Sequence, residues 1–101
     1  MLLWIPVEND NGMDATISPQ FEAKKWALVD FDAGEVKTLK FYDSREELGG
    51  EWVDFVIFIN KFENYMDFMN EGMMCLVVRE EKSIEEIITA FKFKELDEIG
   101  L

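Results

Sequence analysis

The apolar and polar positions divide the chain into short blocks, and the spacing inside each block predicts its element. Leu2 to Val7 is an apolar run closed by the polar loop Glu8 to Asp14, which predicts a buried strand. Asn9, Asn11 and Gly12 tolerate positive φ, so the loop is expected to turn. Ser18-Pro19-Gln20-Phe21 predicts a second irregular segment, since proline disfavours helix at the residue before it. Lys25 to Phe31 and Glu35 to Tyr42 predict two more strands, joined by a tight hairpin at Asp32-Ala33-Gly34 with Gly34 left-handed. Lys37 and Lys40 mark the second of these as an edge strand, where charge blocks unwanted pairing.

The second half alternates differently. Ser44-Arg45-Glu46-Glu47 has capping-box spacing, and Gly49-Gly50 stops that helix after about one turn. Trp52 to Ile59 is apolar throughout except for Asp54, the pattern of a central strand covered on both faces and typically parallel to its neighbours. Asn60-Lys61-Phe62-Glu63 repeats the capping spacing. It predicts a helix with Phe62, Tyr65, Met66 and Met69 on one stripe, ending at Gly72. Met73 to Val78 predicts a further buried strand. Ser83-Ile84-Glu85-Glu86 opens a last helix with Ile84, Ile87, Ile88 and Phe91 at helical spacing; the tail from Glu95 to Leu101 either extends it or frays. Three strands, a short helix, and then strand–helix–strand–helix predict an α/β fold. Its mixed sheet has five strands, an N-terminal antiparallel part and flanking helices. There is no repeat, low-complexity stretch or linker, so residues 1–101 are read as a single domain.

Composition narrows the function classes. Asp and Glu number 22 against 10 Lys and Arg, a formal net charge of −12. Nucleic acid and anionic membrane surfaces are therefore not expected partners, because both need a surplus of Lys and Arg. With one cysteine and no histidine, an internal disulfide is impossible, and the usual zinc and acid–base chemistry lacks its main side chain. No targeting or membrane-spanning segment is visible, and the lone Cys75 fits a reduced cytoplasmic setting.

At this point the chain resembles the dinitrogenase iron–molybdenum cofactor biosynthesis family. The likeness rests on Met1 to Val7 with its Asp/Asn/Gly loop, on Ser18-x-x-Phe21, and on the hairpin from Leu28 to Val36. It extends to the Val53-Asp54-x-Val56-Ile57 strand and to Ser83-Ile84-Glu85-Glu86-Ile87-Ile88-x-x-Phe91. The resemblance implies a ribonuclease-H-like domain. It also implies a non-catalytic accessory or carrier protein that holds an iron–molybdenum cofactor or its precursor cluster. Ser18, Gln20, Phe21, Asn60 and Lys61 are the site positions it implies. Departures from the family pattern bear on that site: Gln20 stands where the family often has histidine, and Glu22 where it has glycine. The glycine-rich turn after the fourth strand is here Ile59-Asn60-Lys61, without the backbone approach that glycines allow an anion.

Other chemistry has less support. The Asn9-Asp10-Asn11-Gly12 loop fails as a calcium loop, because its register puts Val7 where a carboxylate is needed. Met66, Met69, Met73, Met74 and Cys75 form a soft set, but their placement on a helical stripe and a buried strand reads as core. A two-metal nuclease site would need acids on the first strand, which has none; Asp54 stands alone on the fourth. No metal site and no enzyme is expected. The alternative to a carrier is a protein-interaction domain, homodimeric or with another partner, that has lost cofactor binding. Trp4, Trp26 or Trp52 would anchor the contact if exposed; otherwise they are core.

Overall fold

The computed structural model describes residues 1–49 and 51–99 of the chain. Strand β1 (Leu2–Val7) is buried along nearly its whole length, and its neighbours differ in direction on its two sides. On one side it runs antiparallel to β2 (Lys25–Asp32), with Leu3 opposite Val29, and β2 pairs antiparallel with β3 (Glu35–Tyr42). On the other side it runs parallel to β4 (Phe55–Phe58), which is parallel to β5 (Met74–Val77). The sheet order is β3-β2-β1-β4-β5, continued by a two-residue strand β6 (Asp97–Glu98) antiparallel to β5. The expected antiparallel part, the parallel central strand and the lysine-bearing edge are all found.

The sheet therefore has six strands where the sequence pattern predicts five. β6 is too short to carry periodicity. It is held by a fork from Arg79 to Asp97, 2.8 Å from Nη2, and by the Ile99 N–H on the Cys75 carbonyl at 2.9 Å. The Arg79 guanidinium holds the Asp97 carboxyl below its ordinary range.

Alternation along β1 sends side chains to two separate cores. Leu3, Ile5 and Val7 pack with Ile84, Ile87 and Ile88 of helix α2 (Ile84–Lys92). Trp4 lies on the opposite face with Trp26, Phe58, Cys75 and Phe68, the last from helix α1 (Met66–Asn70). Each face of the sheet thus has its own helix. The capping box of α2 is complete: Ser83 Oγ accepts from the Glu86 N–H, and the Glu86 carboxylate accepts from the Ser83 N–H. Those backbone donors hold Glu86 below the usual carboxylate range.

The other two capping boxes do not form. Ser44 makes no cap bond; Glu47 accepts from the Asp43 N–H, and only a 3-10 turn over Arg45–Leu48 results. Gly49 ends it in the left-handed region, while Gly50 lies outside the described residues. The helix expected from Asn60 begins only at Met66, because Glu63 is engaged elsewhere and Asn60 Oδ1 instead accepts from the Phe62 N–H in an Asx turn. The apolar stripe is displaced accordingly. Phe68 is the buried residue of α1, whereas Phe62 and Met66 are exposed.

The β2–β3 hairpin turns on two residues, Ala33 at φ 52° and Gly34 at φ 81°. A two-residue hairpin needs left-handed backbone at both, which glycine adopts freely and alanine does not. Ala33→Asn should therefore raise stability by about 0.5–1 kcal/mol, read as a shift in the urea midpoint at constant slope. An unchanged or lower midpoint would mean that the turn relaxes around alanine without strain.

Candidate functional site

At the carboxyl end of β1 the chain folds back on itself. The Ser18 N–H donates to the Pro6 carbonyl at 3.0 Å, and the Lys24 N–H to the Val7 carbonyl at 3.0 Å. Ala15 to Ser18 is thereby wedged between the end of β1 and the start of α2, where the Ile84 N–H donates to the Ala15 carbonyl at 3.0 Å. Ser18 is 2% exposed, and its hydroxyl donates to the Pro19 carbonyl at 3.1 Å. It is a buried anchor. Pro19 then projects a 3-10 turn, Gln20–Glu22, outward from the sheet.

That turn is latched to the loop after β4. The Gln20 N–H donates to Glu63 Oε1 at 2.7 Å, and its side-chain Nε2 donates to the Asn64 carbonyl at 3.0 Å. Gln20 is thus joined to Glu63 and Asn64, just past the predicted Asn60–Lys61 turn, across 43 and 44 residues of chain; the side chains of Asn60 and Lys61 themselves partner only Phe62 among the described residues. Phe21 and Phe62, on the two latched loops, are 89% and 85% exposed. Lys61 Nζ sits 5.7 Å from the Phe62 ring centroid, within cation–π reach. A shallow polar cleft of about 450 Å³ adjoins the latch, lined by Glu8, Asn9, Ser18, Pro19, Glu22 and Lys24. Of the five predicted site residues only Ser18 lines it. Glu63 and Asn64, which complete the latch, were missed: Glu63 carried the signal of a helix cap, and a backbone acceptor such as that of Asn64 carries no signal at all.

The remaining candidates have structural employment. Asp54 Oδ2 accepts from the Leu2 N–H at 2.8 Å and so fixes β1 against β4. Cys75 is 3% exposed, and burial pushes its thiol up, which keeps it protonated and a poor ligand. Met73 is buried with it, but Met66 and Met74 are exposed, so the methionines are not all core. Trp4 and Trp26 are buried and stack at 5.2 Å, which removes them as contact anchors; Trp52 is 51% exposed. Among the described residues, no three His, Cys, Asp or Glu side chains converge to hold a metal ion, and no helix is long and apolar enough to cross a membrane.

No family model matches the sequence, and no curated protein matches it. Solved structures do match. The crystal structure of a Methanocaldococcus jannaschii protein, provisionally assigned as a dinitrogenase, is similar at a TM-score of 0.77 and 23% identity, over 99% of this chain and 95% of that one. The NMR structure of the same protein gives 0.78 at 27%, over 100% and 94%. A Thermotoga protein, provisionally assigned as a NifB protein of the DUF35 family, gives 0.71 at 17%, over 99% and 95%. The fold is shared along nearly the whole chain. These structural neighbours carry nitrogenase-related names, at low identity to this sequence.

The donor set at the latch does not fit a metallic cluster. The chain has no histidine, its one thiol is buried inside β5, and Gln20 is oriented by the bond its Nε2 donates to the Asn64 carbonyl. Amide oxygen is in any case a weak ligand for iron beside imidazole or thiolate.

Proposed function

We propose that this protein is a non-catalytic accessory protein of the iron–molybdenum cofactor biosynthesis type. In this reading it is one ribonuclease-H-like domain in the cytoplasm that works by protein contact and not by carrying a cluster. The strand order β3-β2-β1-β4-β5, with only β2 and β3 joined as a hairpin, supports the fold reading. The observation that carries the functional reading is the latch. Gln20, at the position where the resemblance implies a cluster ligand, holds two loops together, and Phe21 and Phe62 stand exposed beside it. Large exposed aromatics on a braced scaffold suit a contact surface, because they bury much area at small entropic cost. Phe21, Phe62 and Lys61 are the residues assigned to that contact; Trp52, exposed at the other end of β4, is not part of it.

The carrier reading keeps one observation in its favour: Gln20 is joined to Glu63 and Asn64 of the loop that follows β4, at one end of the sheet. Anaerobic incubation with isolated iron–molybdenum cofactor, followed by gel filtration and metal analysis, separates the two. No retained molybdenum is expected, under conditions where a histidine-containing relative retains it. Stoichiometric retention by the wild-type chain would overturn the contact reading. Retention by Gln20→His alone would identify the replaced ligand and leave the contact reading of the native chain intact.

A further inference from the structure

At the other end of the sheet, where β1, β4 and β5 begin, an open apolar groove of about 720 Å³ runs between the sheet and the end of α2. Its walls are Phe31, Phe55, Met74, Leu76, Phe91 and Leu96. Phe91 meets Phe31 and Phe55 edge-on, with centroids 5.6 and 4.9 Å away, which makes the floor rigid. The volume lies in the range of small-molecule sites, and such sites combine apolar walls with few polar groups.

The charged side chains here are Lys92 and Lys94, with the single carboxylate Glu98 on the β6 side; Met1 also lines the groove, its terminal ammonium donating to the Phe31 carbonyl at 3.0 Å. Two lysines against one carboxylate give this mouth a local positive excess in a chain of net charge −12. Among the described residues Lys92 and Lys94 form no ion pair, as is also true of Lys24, Lys40, Lys61 and Lys82, and Lys92 Nζ lies 5.9 Å from the Phe93 ring centroid. The Lys92 stem reaches across toward the hairpin, since a Cβ added at Gly34 would lie 3.9 Å from Lys92 Cε. Lys94 is held where lysine is disfavoured. The Glu95 N–H donates to the Ala90 carbonyl at 2.8 Å and the Lys94 N–H to that of Phe91 at 3.1 Å, the pair of bonds that ends a helix on a left-handed residue. That position ordinarily takes glycine, yet here it is Lys94 at φ 58°. The helix dipole favours a cation at Lys92 but does not require the strained one at Lys94.

We propose that this groove binds a free medium-chain fatty carboxylate, its chain along the phenylalanine floor and its head group between Lys92 and Lys94. Charge complementarity selects the anion. An extended peptide is disfavoured because the free edge of β5 beside the groove is already taken by β6 at Leu76 and Val77. The site lies at the opposite end of the parallel strands from the latch and does not depend on the function proposed for it.

Titration of the intact chain with sodium dodecanoate below its micelle concentration tests this, by calorimetry and by amide shifts. Saturation at one equivalent is expected, with a dissociation constant on the order of 10–100 µM, and the shifts should centre on Phe31, Phe55 and Leu96. Lys92→Gln and Lys94→Gly should each weaken binding about tenfold, the loss of one charge-assisted hydrogen bond. Lys94→Gly should at the same time raise the melting temperature by several degrees, so its loss of binding cannot come from misfolding. Absence of saturation would overturn the proposal. So would equal affinity for dodecyltrimethylammonium, unchanged affinity in both lysine variants, or shifts confined to the latch end.

Discussion

Trp4→Ala should destabilise the protein by about 3–5 kcal/mol, while Trp4→Phe should stay within about 1 kcal/mol of wild type. The indole is fully buried, stacks on Trp26 at an interplanar angle of 20°, and meets Tyr42 at 5.6 Å. Alanine removes the centre of that aromatic group and leaves a cavity that the rigid sheet cannot close. Phenylalanine keeps a ring against Trp26 and deletes Nε1, a buried donor with no partner among the described residues. An unpaired buried donor costs about 1–3 kcal/mol, which offsets the smaller ring. Urea denaturation of both variants separates the terms. Equal losses in the two would show that the indole N–H is satisfied and is itself holding the core.

The second large effect is expected on the other face. Ile87→Ala should cost about 2–5 kcal/mol, because Ile87 is fully buried between α2 and the Leu3–Ile5–Val7 side of β1. Met66→Ala, which removes a comparable side chain from α1, should change stability by no more than about 0.5 kcal/mol, since Met66 is 43% exposed. A domain of this size is stable by only about 5–15 kcal/mol, so the isoleucine variant should melt tens of degrees nearer to ambient temperature. If Met66→Ala proved as damaging as Ile87→Ala, α1 would have to pack through the stripe that the sequence pattern suggests and not through Phe68.

That contrast shows where the sequence was legible. The start and the buried stripe of helix α2 could be read, because its cap and its stripe are both local; its end could not, since the tail from Glu95 neither extends the helix nor frays but turns back as β6. The strands β1 to β5 were equally clear, each bounded by turn residues and coloured by its surroundings: two-sided burial for β4, lysines for β3. Helix α1 was misread because the Glu63 carboxylate serves the Gln20 N–H, a bond across 43 residues that no local pattern announces. The meeting of Gln20 with the loop after β4 followed from the resemblance and the fold, but the direction of the Gln20 amide did not. The groove at the far end was invisible for a different reason. Phe31, Phe55, Leu76, Phe91 and Leu96 come from separate segments, and each alone reads as ordinary core.

The position of β1 in the sheet has a consequence for biosynthesis. Its antiparallel partner β2 follows within one loop, but Asp54, which bonds Leu2 and brings β4 alongside, comes 52 residues later. Once β3 is complete at Tyr42, β4 at Phe55–Phe58 has still to be made, so at ribosomal rates of about 5–20 residues per second the three-strand unit waits roughly 1–3 s with one side of its most apolar strand uncovered. The nascent chain should therefore lean on chaperones most heavily between emergence of the hairpin and arrival of β4. Slowed translation across that interval should lower the yield of folded protein more than the same delay placed after β5.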